Sequence, residues 1–423
     1  MKEYMPRLID EVLNKKLKGR GAVLIQGPKW CGKTTTAEQV AKSILYMDEP
    51  EQKDQNIALA DISPSTLLEG DTPRLIDEWQ LAPKLWDAVR YTVDHRNGKG
   101  QFILTGSSVP PELSATSHSG TGRFAWLTMR NMSLFESGES NGTVSLKDLF
   151  EGKEDITGTN PYDLNRIAYL VCRGGWPDII HLDEDIALEA AFDYLDGVVH
   201  SDISRADGVK RDPERTKRIM RSYARHQGTQ ISYAAIAKDI SINEFDITDE
   251  TVISYIKALK KIFVVDDMTA WSPNLRSKTA MRASDTRYYS DSAIATAALG
   301  LGPKDLIKDM KTFGLLFETM CVRDLRTYAD ILNGTVHHYR DRSGLECDAV
   351  LHLRNGHYGL IEIKIGGDRL ISEGASNLLK LESLIDTEKM ALPSFKMVLT
   401  GTGRYAYRRS DGVFVVPVGC LRD

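Results

Sequence analysis

Two stretches of this 423-residue chain put opposite charges where they could do chemistry. The first is GPKWCGKTTT, in which Gly27, Gly32, Lys33 and Thr34 match G-x-x-x-x-G-K-[ST]. Small residues there let backbone N–H groups curl around phosphate oxygens. Gly27, Pro28, Cys31, Gly32, Lys33, Thr34 and Thr35 are therefore the expected contacts of a nucleoside triphosphate, with Lys33 reaching the β- and γ-phosphates and Thr34 holding Mg²⁺. RLIDEWQ supplies the acids: Leu75 and Ile76 lead into Asp77, placed to support the metal, and Glu78, placed to activate the attacking water. QFILTGSS ends in Thr105, Ser107 and Ser108, hydroxyls that could sense the γ-phosphate or merely close a strand.

The second stretch is IEIKIGG, residues 361–367. In a strand, alternate residues share a face, so Glu362 and Lys364 point one way while Ile361, Ile363 and Ile365 point the other. Upstream, LECDAVLHL is a second strand carrying Asp348, and RNGH turns between the two. Acids on neighbouring strands with a nearby lysine suit metal-dependent phosphodiester hydrolysis, in which carboxylates bind Mg²⁺ and the lysine positions or helps deprotonate water. Glu318, in the helical pattern FGLLFETMCVRDLRTYA, is the expected third acid. A cross-strand ion pair on a solvated face and a fold that grips DNA without cutting it are the other readings. Register separates them: a two-residue turn would set Asp348 opposite Ile363, whereas a three-residue loop, Arg354-Asn355-Gly356 with a left-handed glycine and a bulge, pairs Leu353 with His357 and sets Asp348 opposite Glu362. The bulged hairpin is predicted.

The elements that must hold these residues follow from periodicity. AVLIQ at Ala22, RLID at Arg74 and FILTG at Phe102 read as parallel strands of a doubly wound α/β core, with a helix running from the loop through Ala37, Val40, Ala41, Ile44 and Leu45. Residues 136–162 are polar and rich in Gly and Ser, which predicts a linker or an inserted excursion. PERTKRIMRSYAR, ISYAAIAKDI and DETVISYIKALKKI read as three helices, the last capped by Thr248, and FVVDDMTAW as a strand pair; together they predict a winged helix-turn-helix that docks either DNA or a protein. The basic cluster from Arg205 to Arg225 could neutralise phosphates or be a solvated helix face. Then come a helix, three strands, a helix and further strands.

Bulk properties narrow the class. A net charge of −5 gives no global pull toward nucleic acid, so such a partner rests on local patches. Five scattered cysteines without C-x-x-C spacing fit reduced thiols, and no apolar run of about 18 residues exists, which predicts a cytoplasmic protein with no membrane partner.

With its phosphate loop, LIDEWQ, FILTGSS, TGRFAWLTMRNMSLFE and the later FGLLFE, YRDRSGLECD and IEIK, the chain resembles prokaryotic AAA-type P-loop ATPases that carry a C-terminal domain of unknown function. The resemblance covers nearly the whole chain. It implies ATP and Mg²⁺ as cofactors, a restriction-endonuclease-like C-terminal fold, and Arg123 as an arginine finger acting on a neighbour's nucleotide, hence a homo-oligomer. The expected domains are an ATPase at 1–160, a helical connector at 161–211, a winged helix at 212–275 and a nuclease-like domain at 276–423. The expected function is ATP hydrolysis coupled to action on nucleic acid, DNA above all. The alternative is a nucleotide-dependent switch that docks a partner protein and carries an inactive nuclease fold.

Overall fold

The structure is a computed structural model and describes residues 4–106, 120–241, 247–272 and 284–423. The chain divides into two compact units: 1–131 with 201–211 and 257–263, and 132–200 with 212–256 and 264–423.

The first unit is built on β1 (Ala22–Gln26), β2 (Ser43–Tyr46), β3 (Arg74–Asp77), β4 (Phe102–Gly106) and β5 (Phe124–Thr128), in the order β2-β3-β4-β1-β5. Every neighbouring pair is parallel. A parallel sheet needs cover on both faces, and β1 supplies it by alternation. Ala22 and Leu24 join Trp79, Trp86 and Leu85 on one side; Val23 and Ile25 join Leu13 and Leu17 of the helix Ile9–Gly19 on the other. The three expected strands are thus present, with β2 and β5 added at the edges.

β2 corrects the sequence reading. The helix after the loop is only Lys33–Glu38, and Ile44 and Leu45 lie in a strand rather than on its continuation. The run Thr34-Thr35-Thr36 is a weak helix former, whereas Ser43–Tyr46 gains a full parallel ladder against β3.

The second unit carries a seven-stranded sheet ordered β7-β12-β13-β11-β10-β9-β8. Its strands are β7 (Gly158–Thr159), β8 (Gly334–Arg340), β9 (Glu346–Leu353), β10 (Tyr358–Lys364), β11 (Phe395–Thr400), β12 (Tyr405–Arg408) and β13 (Phe414–Pro417). The helix Met310–Ile331 precedes the antiparallel β8-β9-β10, and the helix Asp368–Ser383 crosses over to β11, parallel to β10. Leu360 and Val398 meet Leu378 and Leu381 of that helix in the core. The element order is the one expected from periodicity.

Residues 132–160 cluster with this unit, not with the first unit, where the sequence reading places them. β7 extends the seven-stranded sheet, and β6 (Val144–Ser145) pairs with β14 (Leu421–Arg422). The supposed linker is therefore anchored by two-residue strands, too short to leave a periodic signal. Helices at Pro213–Arg225, Tyr233–Ser241 and Asp249–Lys261 are followed by antiparallel bridges Val265–Tyr289 and Met268–Thr286, so FVVDDMTAW is not a strand pair by itself and finds its partners beyond residue 275. Thr248 Oγ1 accepts from the Thr251 N–H, as a cap should. Among the described residues no helix is long and apolar enough to cross a membrane.

Candidate functional site

The phosphate loop leaves the C-terminal end of β1, where a parallel sheet places its ligand crevice. Gly27 turns at φ 154°, and a Cβ there would lie 2.0 Å from the Met129 carbonyl oxygen, so the site requires glycine. Gly32 enters the helix at φ 96°, also left-handed. Lys33 is buried, and its Nζ donates to the carbonyls of Gly27 (3.0 Å) and Pro28 (2.7 Å). Its charge is thus held by neutral acceptors of its own loop.

Asp77 ends β3 beside it. Thr34 Oγ1 donates to Asp77 Oδ1 at 2.9 Å, and Thr105 Oγ1 from the tip of β4 donates to the same oxygen. Burial raises the Asp77 carboxyl above the usual carboxylate range, opposed by those two hydroxyls. Glu78 follows in a left-handed conformation, φ 53°, which turns the chain out of the strand; the Gln80 amide donates to its carboxylate. Burial raises the Glu78 pKa first, and the Asp77 charge adds to it. Lys33, Thr34, Asp77, Glu78 and Thr105 therefore converge at one end of the sheet. Ser107 and Ser108 lie outside the described residues.

Cys31 is fully buried, its Sγ directed at the Met129 carbonyl 3.7 Å away, so it packs the loop. Thr35, on the first turn of the helix, is exposed. Sequence reasoning missed the loop's supports. Arg7 donates to the carbonyls of Cys31 (2.6 Å) and Arg130 (2.8 Å), Tyr4 Oη lies 3.0 Å from Thr36 Oγ1, and Lys29 pairs with Asp202 at 2.6 Å. No local pattern announces contacts so distant in sequence.

Arg123 does not join this group. It precedes β5, next to the start of β1, whereas the loop follows the end of β1, a strand length of about 15 Å away. It is half-exposed and donates through Nε to Asp94 at 2.8 Å.

In the second unit the hairpin has the predicted bulged form. The Leu353 N–H donates to the His357 carbonyl (2.8 Å), Gly356 is left-handed at φ 91°, and Ile361 pairs with Ala349. The ladder ends at that pair, and its register leads on to Glu362 and Asp348. Lys364 Nζ lies between them, 2.6 Å from Glu362 Oε2 and 3.0 Å from Asp348 Oδ2, and Asp348 Oδ2 also accepts from the Ile363 N–H at 2.7 Å. Glu362 is withdrawn from solvent at 1% exposure, while Asp348 and Lys364 are half-buried. Burial, then the Asp348 charge, push the Glu362 pKa up to about 8 against the pull of Lys364; burial pulls the Lys364 pKa down, and the two acids outweigh it and raise it. Glu362 Oε1 is buried and makes no hydrogen bond of good geometry.

Glu318 takes a hydrogen bond from the Tyr288 hydroxyl, a partner the sequence did not suggest. Its carboxyl keeps some exposed surface at a cavity of about 30 Å³ that Asp348 also lines, yet the surrounding protein desolvates it and the Asp348 charge adds, so its pKa is raised strongly. Among the described residues no three His, Cys, Asp or Glu side chains are grouped to hold one ion. Asp348 and Glu362 are brought together, with a lysine between them, and Glu318 is committed to Tyr288.

Comparisons with known proteins match three separate segments of the chain. Residues 164–305 match a family model described as a domain of unknown function, DUF8612, and residues 313–421 one described as a domain of unknown function, DUF4143. The chain is 24% identical over 408 residues to the uncharacterized protein Rv2008c of Mycobacterium tuberculosis, and equally to the uncharacterized protein Mb2031c of Mycobacterium bovis, covering 96% of this chain and 82% of each relative. Among solved structures, the Walker-type ATPase PABY2304 of Pyrococcus abyssi aligns at 14% identity and a TM-score of 0.42 over 68% of this chain and 94% of that one. Residues 19–137 match the family model described as an AAA domain, and the part of the chain that holds the phosphate loop and Asp77 is an AAA-type, ATPase-like domain.

Proposed function

We propose that this protein is a Mg²⁺-dependent ATP hydrolase of the AAA type, coupled through a winged helix to a nuclease-like domain that acts on nucleic acid. The observation that carries the first half is the convergence of the Thr34 and Thr105 hydroxyls on Asp77, beside a lysine held only by the carbonyls of its own loop. Thr34 and Asp77 would hold the ion, which supplies neutralising charge to the phosphates. Lys33 exchanges two neutral acceptors for phosphate oxygens, a gain in charge-assisted hydrogen bonding. Glu78, with its raised pKa, serves as the base for the attacking water. Arg123 faces away from its own loop, so it would serve the nucleotide of a neighbouring copy, and the active form is a homo-oligomer.

The second half rests on the buried Glu362 with the half-buried Asp348 and Lys364 beside it, and on the helix, three strands, helix, strand order around them. Asp348 and Glu362 are the residues that would hold a divalent ion; the buried Glu362 Oε1, without a hydrogen bond of good geometry although Asn377 loosely approaches the carboxyl, supports this. The position of Lys364, bonded to both acids, favours a second reading in which this domain is catalytically silent and the chain is a nucleotide-dependent switch. ATP hydrolysis measured with and without single-stranded DNA, duplex DNA and RNA separates the two. Stimulation by nucleic acid, lost in Glu78→Gln, supports the enzyme; hydrolysis unchanged by Lys33→Ala rejects the ATPase assignment. Mg²⁺-dependent cleavage that survives both Glu362→Ala and Lys364→Ala rejects the roles given to those residues.

A further inference from the structure

Charge is distributed unevenly over the helices of the second unit. The helix Pro213–Arg225 buries Ile219, Met220 and Tyr223 on one side. On another it presents Arg218, Arg221, Ser222 and Arg225, spaced i, i+3, i+4 and i+7 and so aligned in one stripe. With Asp239 and Ile240 this stripe lines an open groove of about 560 Å³. A second groove of about 480 Å³ shares Arg218 and Arg221 with the first, and its walls include Lys217, Phe192 and Leu195 together with the acids Asp196 and Glu214.

The cations here differ in how far they are already satisfied. Arg225 is bound to Asp239 at 2.8 Å, and Lys217 lies 3.5 Å from Asp196 in an exposed pair of little strength. Arg221 is exposed and makes no ion pair among the described residues, although it borders both grooves. Phe192 is a large aromatic left 37% exposed in the second groove. The helix Asp249–Lys261, the expected reader, opens instead with exposed Asp249 and Glu250. A phosphate backbone would be repelled there.

We infer that the twin grooves along Pro213–Arg225 are a track for single-stranded nucleic acid, with backbone phosphates on Arg218 and Arg221 and a base stacked on Phe192. Guanidinium groups match phosphate geometry, and an exposed aromatic beside them is what a splayed base requires. The inference deepens the proposed action on nucleic acid and rests on that reading; it assigns the contact to this helix rather than to Asp249–Lys261.

Fluorescence anisotropy of a labelled DNA strand of about 20 nucleotides, titrated with the full chain between about 50 and 200 mM salt, tests it. Arg221→Glu is expected to weaken binding about tenfold or more and to lower the salt slope by about one. Arg221→Gln, with no new charge, should give the same direction. Phe192→Ala should weaken the DNA complex by at least about fivefold while leaving inorganic polyphosphate binding unchanged. Lys257→Glu, on the other helix, should leave affinity as it was. If the wild-type chain binds DNA and both Arg221 variants bind equally well, or Lys257→Glu alone weakens binding, the track is wrong and the broader reading stands. Equal losses for DNA and polyphosphate in Phe192→Ala reject the stacked base. A wild-type chain that binds no nucleic acid removes both.

Discussion

The phosphate loop and the acid–lysine cluster each set a lysine near carboxylates, and they use it in opposite ways. Lys33 is bonded to backbone carbonyls, while Asp77 is satisfied by two hydroxyls. Lys364 is bonded to the acids themselves. A lysine on neutral acceptors can leave them for a triphosphate at modest cost, whereas one between a buried and a half-buried carboxylate is part of what keeps them in the fold. Proximity of opposite charges therefore does not reveal a site's state of readiness; the partner of each hydrogen bond does.

Substitutions can break this contrast. Lys364→Met leaves Glu362 and Asp348 facing each other without a counter-charge, and unfolding in urea should show a loss of about 3–5 kcal/mol. Lys33→Met should lower ATP turnover by about 10²–10³, read from steady-state phosphate release, with a small change in the urea midpoint. Should Lys33→Met destabilise more than Lys364→Met, the contrast is reversed.

Acid should distinguish the two units as well. His338 lines the same cavity as Asp348, between the Gln230 amide and the Ser284 carbonyl, and burial lowers its pKa to about 4. Its folded pKa lies below the unfolded value, so the unfolded state binds the extra proton first. The contribution is complete above about pH 6.5 and is lost as pH falls toward 4, worth on the order of 3 kcal/mol. Urea midpoints across that window should fall more steeply for the native chain than for His338→Gln. The smallest effect is expected at Cys31, where Cys31→Ala should cost about 1 kcal/mol and change ATP turnover less than about twofold. A larger loss of turnover would give the thiol a role beyond packing.

What could be read from sequence follows from how local each determinant is. Gly27, Gly32, Lys33 and Thr34 act within one loop, so their types and spacing carry the information. The bulged turn was legible because Gly356 sits at the position that needs a positive φ, and one residue of register decides whether Glu362 meets Asp348 or turns from it. The anchoring of residues 132–160 was hidden, since β6 and β7 gain their partners from β14 and β12 near the other end of the chain. Ile44 and Leu45 kept helical spacing by coincidence, and sheet pairing overrode it. Tyr288, which holds Glu318, is one of 16 tyrosines and bears no mark of that task.

The backbone at Glu78 sets folding against turnover at a single position. A non-glycine residue at φ 53° carries a steric cost of roughly 1–2 kcal/mol. Glycine would relax the main chain there and remove the carboxylate, while asparagine, tolerant of the same geometry, would erase only the charge. A more stable yet idle protein from Glu78→Gly would mean that the bend is kept for the sake of the acid it aims.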